Sequence, residues 1–146
     1  MTSLRVRLSA SVRSALLAEA RSAAHGEPTE ICGVLAGRRG DETRPPFIST
    51  FRPVATVAAD PRRAYELDPA ETVRAIDALE AAGHALLGFY HSHPVSPATP
   101  SRADHEQAAW PGYLYAIVSV LDAEIAVFEW AGETFEPRSV AVVTGD

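Results

Sequence analysis

Lysine is absent: all 13 basic residues of the 146 are arginine. That excludes a Schiff-base lysine, a P-loop lysine and a carbamylated lysine bridging two metals. It also leaves no side-chain amine on which this chain could itself carry an isopeptide bond. With 26 alanines and 11 prolines beside it, the gap fits the composition of a GC-rich genome. There is one cysteine, Cys32, so neither an internal disulfide framework nor a Cys-rich zinc finger can form. No run of 18 apolar residues occurs that could span a bilayer as a helix. Residues 1–8 lack the charged stretch and apolar core of a signal peptide, and a cytoplasmic location is expected. There is no G-x-G-x-x-G to suggest a dinucleotide site. Acidic residues outnumber basic ones, 19 to 13, for a net charge of -6. That balance argues against nucleic acid or an anionic membrane as the main partner.

What is present suits one globular domain over residues 1–146, with 47% apolar residues and no repeat or long linker. Residues 5–8 alternate and can open a strand. Residues 11–25 place Val12, Leu16, Ala20 and Ala23 on one helical face and end at Gly26. Residues 30–37 form an apolar run, a buried strand with Glu30 at its entrance. Strands are also expected over 47–54 and, shorter, 64–67. Asp68-Pro69-Ala70-Glu71 is a helix start: an N-cap acceptor, a proline at the first helical position and an acid at N3. That helix continues through Val73, Ile76 and Leu79 to Gly83. Residues 84–93 read as a strand with Leu87, Phe89, His91 and His93 on one face. A loop holding Pro94, Pro97 and Pro100 leads to a short helix over 101–109, and strands over 113–120, Glu124–Trp130 and Phe135–Val143 close the chain as a meander. Strands outnumber helices, which predicts an α+β fold rather than a doubly wound parallel one.

The chemistry is concentrated in residues 91–104. His91 and His93, two apart on a strand, can aim both imidazoles at one point, and neutral imidazole is the commonest transition-metal ligand. Asp104 returns from beyond the proline-stiffened loop as a possible third ligand. Two histidines and one aspartate leave a fourth position open, the arrangement of a catalytic zinc. Each piece has a plainer reading. Ser101-x-x-Asp104 is also a helix capping box, and the two histidines could form a polar strand edge. A two-His-one-carboxylate iron site for oxygen chemistry stays chemically open. Metallo-β-lactamase, cupin and amidohydrolase patterns fit worse: Pro94-Val95-Ser96 follows the histidines, Pro97 and Ala98 stand where a cupin needs Glu, and there is no lysine to carbamylate.

The string H-S-H-x7-S-x2-D, with Glu30 far upstream in P-T-E-I-C-G-V-L-A-G, resembles the JAMM (MPN+) metallopeptidase signature. The resemblance implies an MPN fold: a curved, mostly antiparallel mixed sheet with helices packed on it, a cytidine-deaminase-like layout. It implies one Zn2+ per chain held by His91, His93 and Asp104. It implies Glu30 as the acid–base carboxylate and Ser101 as the hydroxyl that steadies the oxyanion or the water. Outside the signature, Cys32 reads as a small buried residue. His105 reads as solvent-facing, His25 and His84 as surface residues, and Trp110 and Tyr113 as core packing.

The connections are short and no second Cys/His cluster exists, so the chain resembles compact prokaryotic members more than polyubiquitin-cleaving ones. The resemblance then implies hydrolysis after the C-terminal Gly-Gly of a small ubiquitin-like or sulfur-carrier protein. The leaving group would be an amino-acid adduct such as cysteine, or an isopeptide-linked lysine. The alternative is a non-catalytic MPN scaffold, against which the intact ligand set argues. An extended substrate tail is expected to add as a strand along residues 86–90, and the net charge favours a carrier with a basic face. The oligomeric state is open.

Overall fold

The computed structural model describes residues 5–144. Residues 1–4 and 145–146, which belong to the expected domain and in part to the N-terminal reading, lie outside the described residues. The elements run β1 (Arg5–Ser9), α1 (Ala10–Ala23), β2 (Cys32–Arg38), β3 (Phe47–Pro53), α2 (Pro69–Ala81), β4 (Ala85–His93), α3 (Arg102–Gln107), β5 (Leu114–Ser119), β6 (Glu124–Trp130) and β7 (Phe135–Val143). Most elements match the expected ones to within a residue or two. The exception is 64–67, where only an isolated Thr56–Leu67 bridge forms.

The curved sheet closes on itself, in the order β1-β3-β2-β4-β5-β6-β7. β1 closes it by pairing in parallel with both β3 and β7, and β4 and β5 are also parallel. The other four pairings are antiparallel, including the β5-β6-β7 meander. Closure leaves no strand of the sheet with a wholly free edge, which removes the usual template for aggregation. The expected substrate pose is also corrected: β4 has β2 on one side and, from Gly88 on, β5 on the other, so a tail cannot add along residues 88–90.

Two helices cover the sheet on opposite sides. Val12, Leu16, Leu17 and Ala20 of α1 join Val6, Leu8, Leu35, Ile48 and Val118 in the larger core. On the other side, Ala75 and Leu79 of α2 pack with Val34, Phe89 and Tyr115. Asp68 caps α2 by accepting from the Ala70 and Glu71 amides, and Pro69 follows at the start as expected. The inward stripe of α2 is Thr72, Ala75 and Leu79; Val73, one step of about 100° from Thr72, is 58% exposed.

A second correction concerns β4. Its register with β2 runs Leu35↔Gly88 and then Ala36↔Leu86, so Leu87 is the extra residue of a bulge. One extra residue inverts side-chain parity. Leu87 therefore joins the α1 core, while Phe89, beyond the bulge, joins the α2 core with Leu86. His91 and His93 keep the parity of Phe89 and face the α2 side. Gly88 sits at this irregularity, where a Cβ would run into the Leu114 carbonyl of β5. Backbone cannot yield as a side-chain tip does. Gly88→Ala is expected to destabilise the fold by about 1–3 kcal/mol, the usual cost of overpacking. Denaturant unfolding measures it, and an unchanged midpoint would contradict the steric argument.

Candidate metal centre

Three elements build the site. The β2–β4 ladder pairs Cys32 with His91, and Ile31 extends it by one step: the Ile31 amide donates to Ser92 Oγ at 2.9 Å, and the Ser92 amide donates to the Ile31 carbonyl at 3.0 Å. Along that register Glu30 comes opposite His93, on the same face as both histidines. After β4 the segment 94–100 turns the chain back, tied by His93 Nδ1 donating to the Pro97 carbonyl at 2.8 Å and by Ser119 Oγ donating to the Ser96 carbonyl at 2.8 Å. α3 then presents Asp104 from its first turn.

Asp104 forms the expected cap and also has the geometry that the ligand reading needs. The Ser101 amide donates to Asp104 Oδ2 at 2.9 Å, and the Asp104 amide donates to Ser101 Oγ at 3.1 Å, a complete capping box. The same carboxylate faces His91 Nε2 at 2.9 Å through Oδ1 and His93 Nε2 at 3.0 Å through Oδ2. The two Nε2 atoms stand 3.3 Å apart. All three side chains are buried, and their ligand atoms lie within 4.8 Å of one another. Two imidazole nitrogens and one carboxylate converging on one point fit a single zinc with a position left open. The hydrogen bond from His93 Nδ1 to a carbonyl can only be donated, which leaves Nε2 as the ligand atom.

Electrostatics follow the burial. For Asp104, burial opposes ionisation, but hydrogen bonds from His91 and His93 and the Ser101 amide outweigh it and hold the carboxyl far below its ordinary range. For His93, burial disfavours the cation, yet the Asp104 hydrogen bond, the Pro97 carbonyl and nearby negative charge raise its pKa. Burial dominates at His91 and lowers its pKa, a neutral ring suited to ligation. Glu30 is only 8% exposed, and burial first, then the Asp104 charge, push its pKa up to about 7, with His93 opposing. Its Oε1 has no hydrogen-bond partner among the described residues. A buried carboxyl that titrates near neutrality beside a ligand set suits proton transfer.

The remaining candidates separate cleanly. Cys32 is buried, its Sγ hydrogen-bonds the Val54 carbonyl at 3.3 Å, and burial pushes its thiol up to about 12, which makes it inert. His105 is exposed, His25 is exposed and His84 is half-buried. Tyr113 packs against the α2 core as expected, but Trp110, three residues beyond α3, is 42% exposed, its ring 5.3 Å from Phe89. Trp110 is a surface aromatic, since the Trp110-Pro111-Gly112 break carries it to the rim. Sequence reasoning read the segment 55–68 only as a short strand over 64–67 ahead of the Asp68 cap, and missed that it covers the site. This segment folds back through the Thr56–Leu67 bridge and the Val57 amide's bond to the Glu66 carbonyl at 2.7 Å. It straps the site: the Pro61 carbonyl accepts from the Glu30 amide at 2.8 Å, and Tyr65 stacks on His91. The available signal was an aromatic between two Asp-Pro turns.

Comparison with known proteins points one way. Residues 9–132 match the family described as prokaryotic homologs of the JAB domain. The chain is 49% identical over 143 residues to the desampylase of Haloferax volcanii, covering 97% of this chain and 99% of that one. It is 35% identical over 109 residues to the CysO-cysteine peptidase of Mycobacterium tuberculosis, covering 75% of this chain and 69% of that one. A JAB1/MPN domain protein from Archaeoglobus fulgidus has the same fold, with a TM-score of 0.61 at 19% identity over 95% of this chain and 98% of that one.

Proposed function

The chain belongs to the family of prokaryotic JAB-domain homologs and is a JAMM-type hydrolase of MPN fold; from that premise we propose that it cleaves the bond after the C-terminal Gly-Gly of a small ubiquitin-like or sulfur-carrier protein. The group removed is an amino acid or an isopeptide-linked amine. The observation that carries this reading is the convergence of His91, His93 and Asp104 beside the buried carboxyl of Glu30. Similarity to a desampylase over nearly the whole of both chains, and to a CysO-cysteine peptidase, supports the carrier as substrate. A single domain over residues 1–146 is part of the reading, supported by β1 and β7 pairing to close the sheet. So is a cytoplasmic setting, in keeping with one free buried thiol. Among the described residues no helix is long and apolar enough to cross a membrane.

His91, His93 and Asp104 would hold the zinc, which supplies a Lewis acid and a water of lowered pKa. Glu30 takes the proton of the attacking water and returns it to the leaving amine, since an amine expelled without a proton is a poor leaving group. Its burial keeps the carboxylate poorly solvated and hence basic enough for that exchange. Ser101 is exposed at the head of α3, and its oxygen accepts in the cap. The cap uses one acceptor lone pair and leaves the O–H free to donate to the oxyanion.

The substrate is tested with carrier fusions bearing Gly-Gly, Ala-Ala or Val-Val before the scissile bond, read by intact mass. Gly-Gly is expected to be cleaved and Val-Val to resist, because a backbone without Cβ can pass close to the ligand set. Equal cleavage of all three would remove the glycine tail from the recognition.

A further inference from the structure

His91 and His93 differ in how their rings are held. His93 is anchored at both nitrogens, by the Pro97 carbonyl at Nδ1 and by Asp104 at Nε2. His91 meets Asp104 at Nε2, but its Nδ1 is buried with no hydrogen-bond partner among the described residues. Metal-ligating histidines almost always donate their second nitrogen to an outer group, which sets ring orientation. Among the described residues nothing gives His91 that device. In its place the Tyr65 ring lies nearly parallel to the imidazole, 18° between planes and 4.3 Å between centroids. Tyr65 is itself only 3% exposed, so the contact is enclosed. Along the sheet, Cys32 and Ile117 stand directly across from His91 on the neighbouring strands, which limits sideways rotation of the ring.

We infer that Tyr65 is the positioning residue for the ligand His91: its ring face does by stacking what a hydrogen bond at Nδ1 does for His93. The inference rests on the reading of His91 as a metal ligand. Tyr65 reaches the site only because the 55–68 segment folds back over it, and the same segment holds the Glu30 backbone through Pro61. One strap thus registers a ligand and the acid–base carboxyl together. The other face of this region is a recess of about 160 Å³ lined by Tyr65, Phe89, Trp110 and Tyr115 among others. Trp110 therefore shares the recess but has no contact with the histidines among its ring partners, Phe89 and Tyr113.

The test is zinc affinity by chelator competition, together with the visible spectrum of the cobalt-substituted protein. Tyr65→Phe keeps the ring face and is expected to match the wild type in both. Tyr65→Leu removes it and is expected to weaken zinc binding by about tenfold or more, the scale on which outer-shell changes act, and to shift the cobalt bands. Trp110→Leu is expected to change neither. A folded Tyr65→Leu protein with wild-type affinity and spectrum overturns the inference, and so does a Tyr65→Phe protein as impaired as Tyr65→Leu. An independent measurement needs no variant: in the metal-free wild type, ring-current shielding by Tyr65 should move the His91 ring protons upfield of those of His93. Unshielded His91 protons would show that the stack is absent in solution. If the wild type itself bound no zinc, the metal-centre reading would fail instead, a result distinct from any of these.

Discussion

Glu30→Gln is expected to lower turnover by at least about 100-fold while zinc content and fold are retained, the scale of lost general-base catalysis. Glutamine keeps the size and reach of the side chain but cannot take a proton. Among the described residues Glu30 is not one of the clustered ligand groups, so metal binding should survive. Steady-state kinetics on a carrier fusion, with metal content measured on the same sample, checks both halves. A variant that cleaves at the wild-type rate would assign the proton transfer elsewhere. The substitution has a second consequence in the metal-free protein. A carboxyl whose pKa is raised on folding, here to about 7 by burial and by Asp104, binds its proton more tightly folded than unfolded. The fold therefore loses stability as pH climbs from the ordinary carboxylate range to about 7, and the penalty is constant above that. Metal-free Glu30→Gln should melt higher than wild type at about pH 8, with the gap narrowing toward about pH 5. A gap that did not change with pH would mean that the buried charge is not its source. The carboxyl most useful to the chemistry is thus one that costs the resting fold.

Asp104→Asn is expected to abolish stoichiometric zinc. The carboxylate is the one anionic group of the three, and the amide that replaces it is neutral and a far weaker ligand. The amide oxygen can still accept from the Ser101 backbone, so the capping box and α3 should persist. The loss would then be one of metal, with activity falling alongside it. Ser101→Ala should divide the other way. It removes the Oγ that caps the Asp104 amide, at a stability cost of about 0.5–2 kcal/mol, and leaves the three ligands in place. Elemental analysis of gently purified proteins, with unfolding curves for each, separates the two roles that Asp104 and Ser101 share. If the Asn variant held one zinc per chain, Asp104 would be a capping residue and no ligand.

Much of this site was legible in the residues. The i, i+2 histidines at the end of an apolar strand, the prolines that stiffen the return, and the Ser-x-x-Asp head of α3 are local patterns. Local geometry alone puts Asp104 at a helix start and both imidazoles on one face of a strand. Composition narrowed the chemical menu, since a chain without lysine and with one cysteine can form neither a carbamylated-lysine site nor a Cys-rich one. Glu30 was different: among 12 glutamates, only resemblance to a family singled it out. Its place opposite His93 depends on the β2–β4 register, which joins residues some sixty positions apart.

The features that the sequence could not supply are all long-range. Whether a curved sheet stays open or closes depends on β1 pairing with β7, at opposite ends of the chain, and it is the strand order, with β4 between β2 and β5, that denies a substrate tail an edge along 88–90. The bulge at Leu87 arises from matching two strands and inverts parity, so a period-two reading placed Leu87 on the wrong face. Tyr65 read as part of a short strand, yet the strap it belongs to has no regular period and is held by scattered bonds to Glu30 and to its own other arm. Sequence by itself determined which imidazole and carboxylate groups of residues 91–104 are available to bind a metal, because those are properties of residue types at short spacing. Only the tertiary structure decided how deeply Glu30 is buried, and therefore its pKa, and what holds each histidine, because desolvation and ring contacts are set by neighbours distant in the chain.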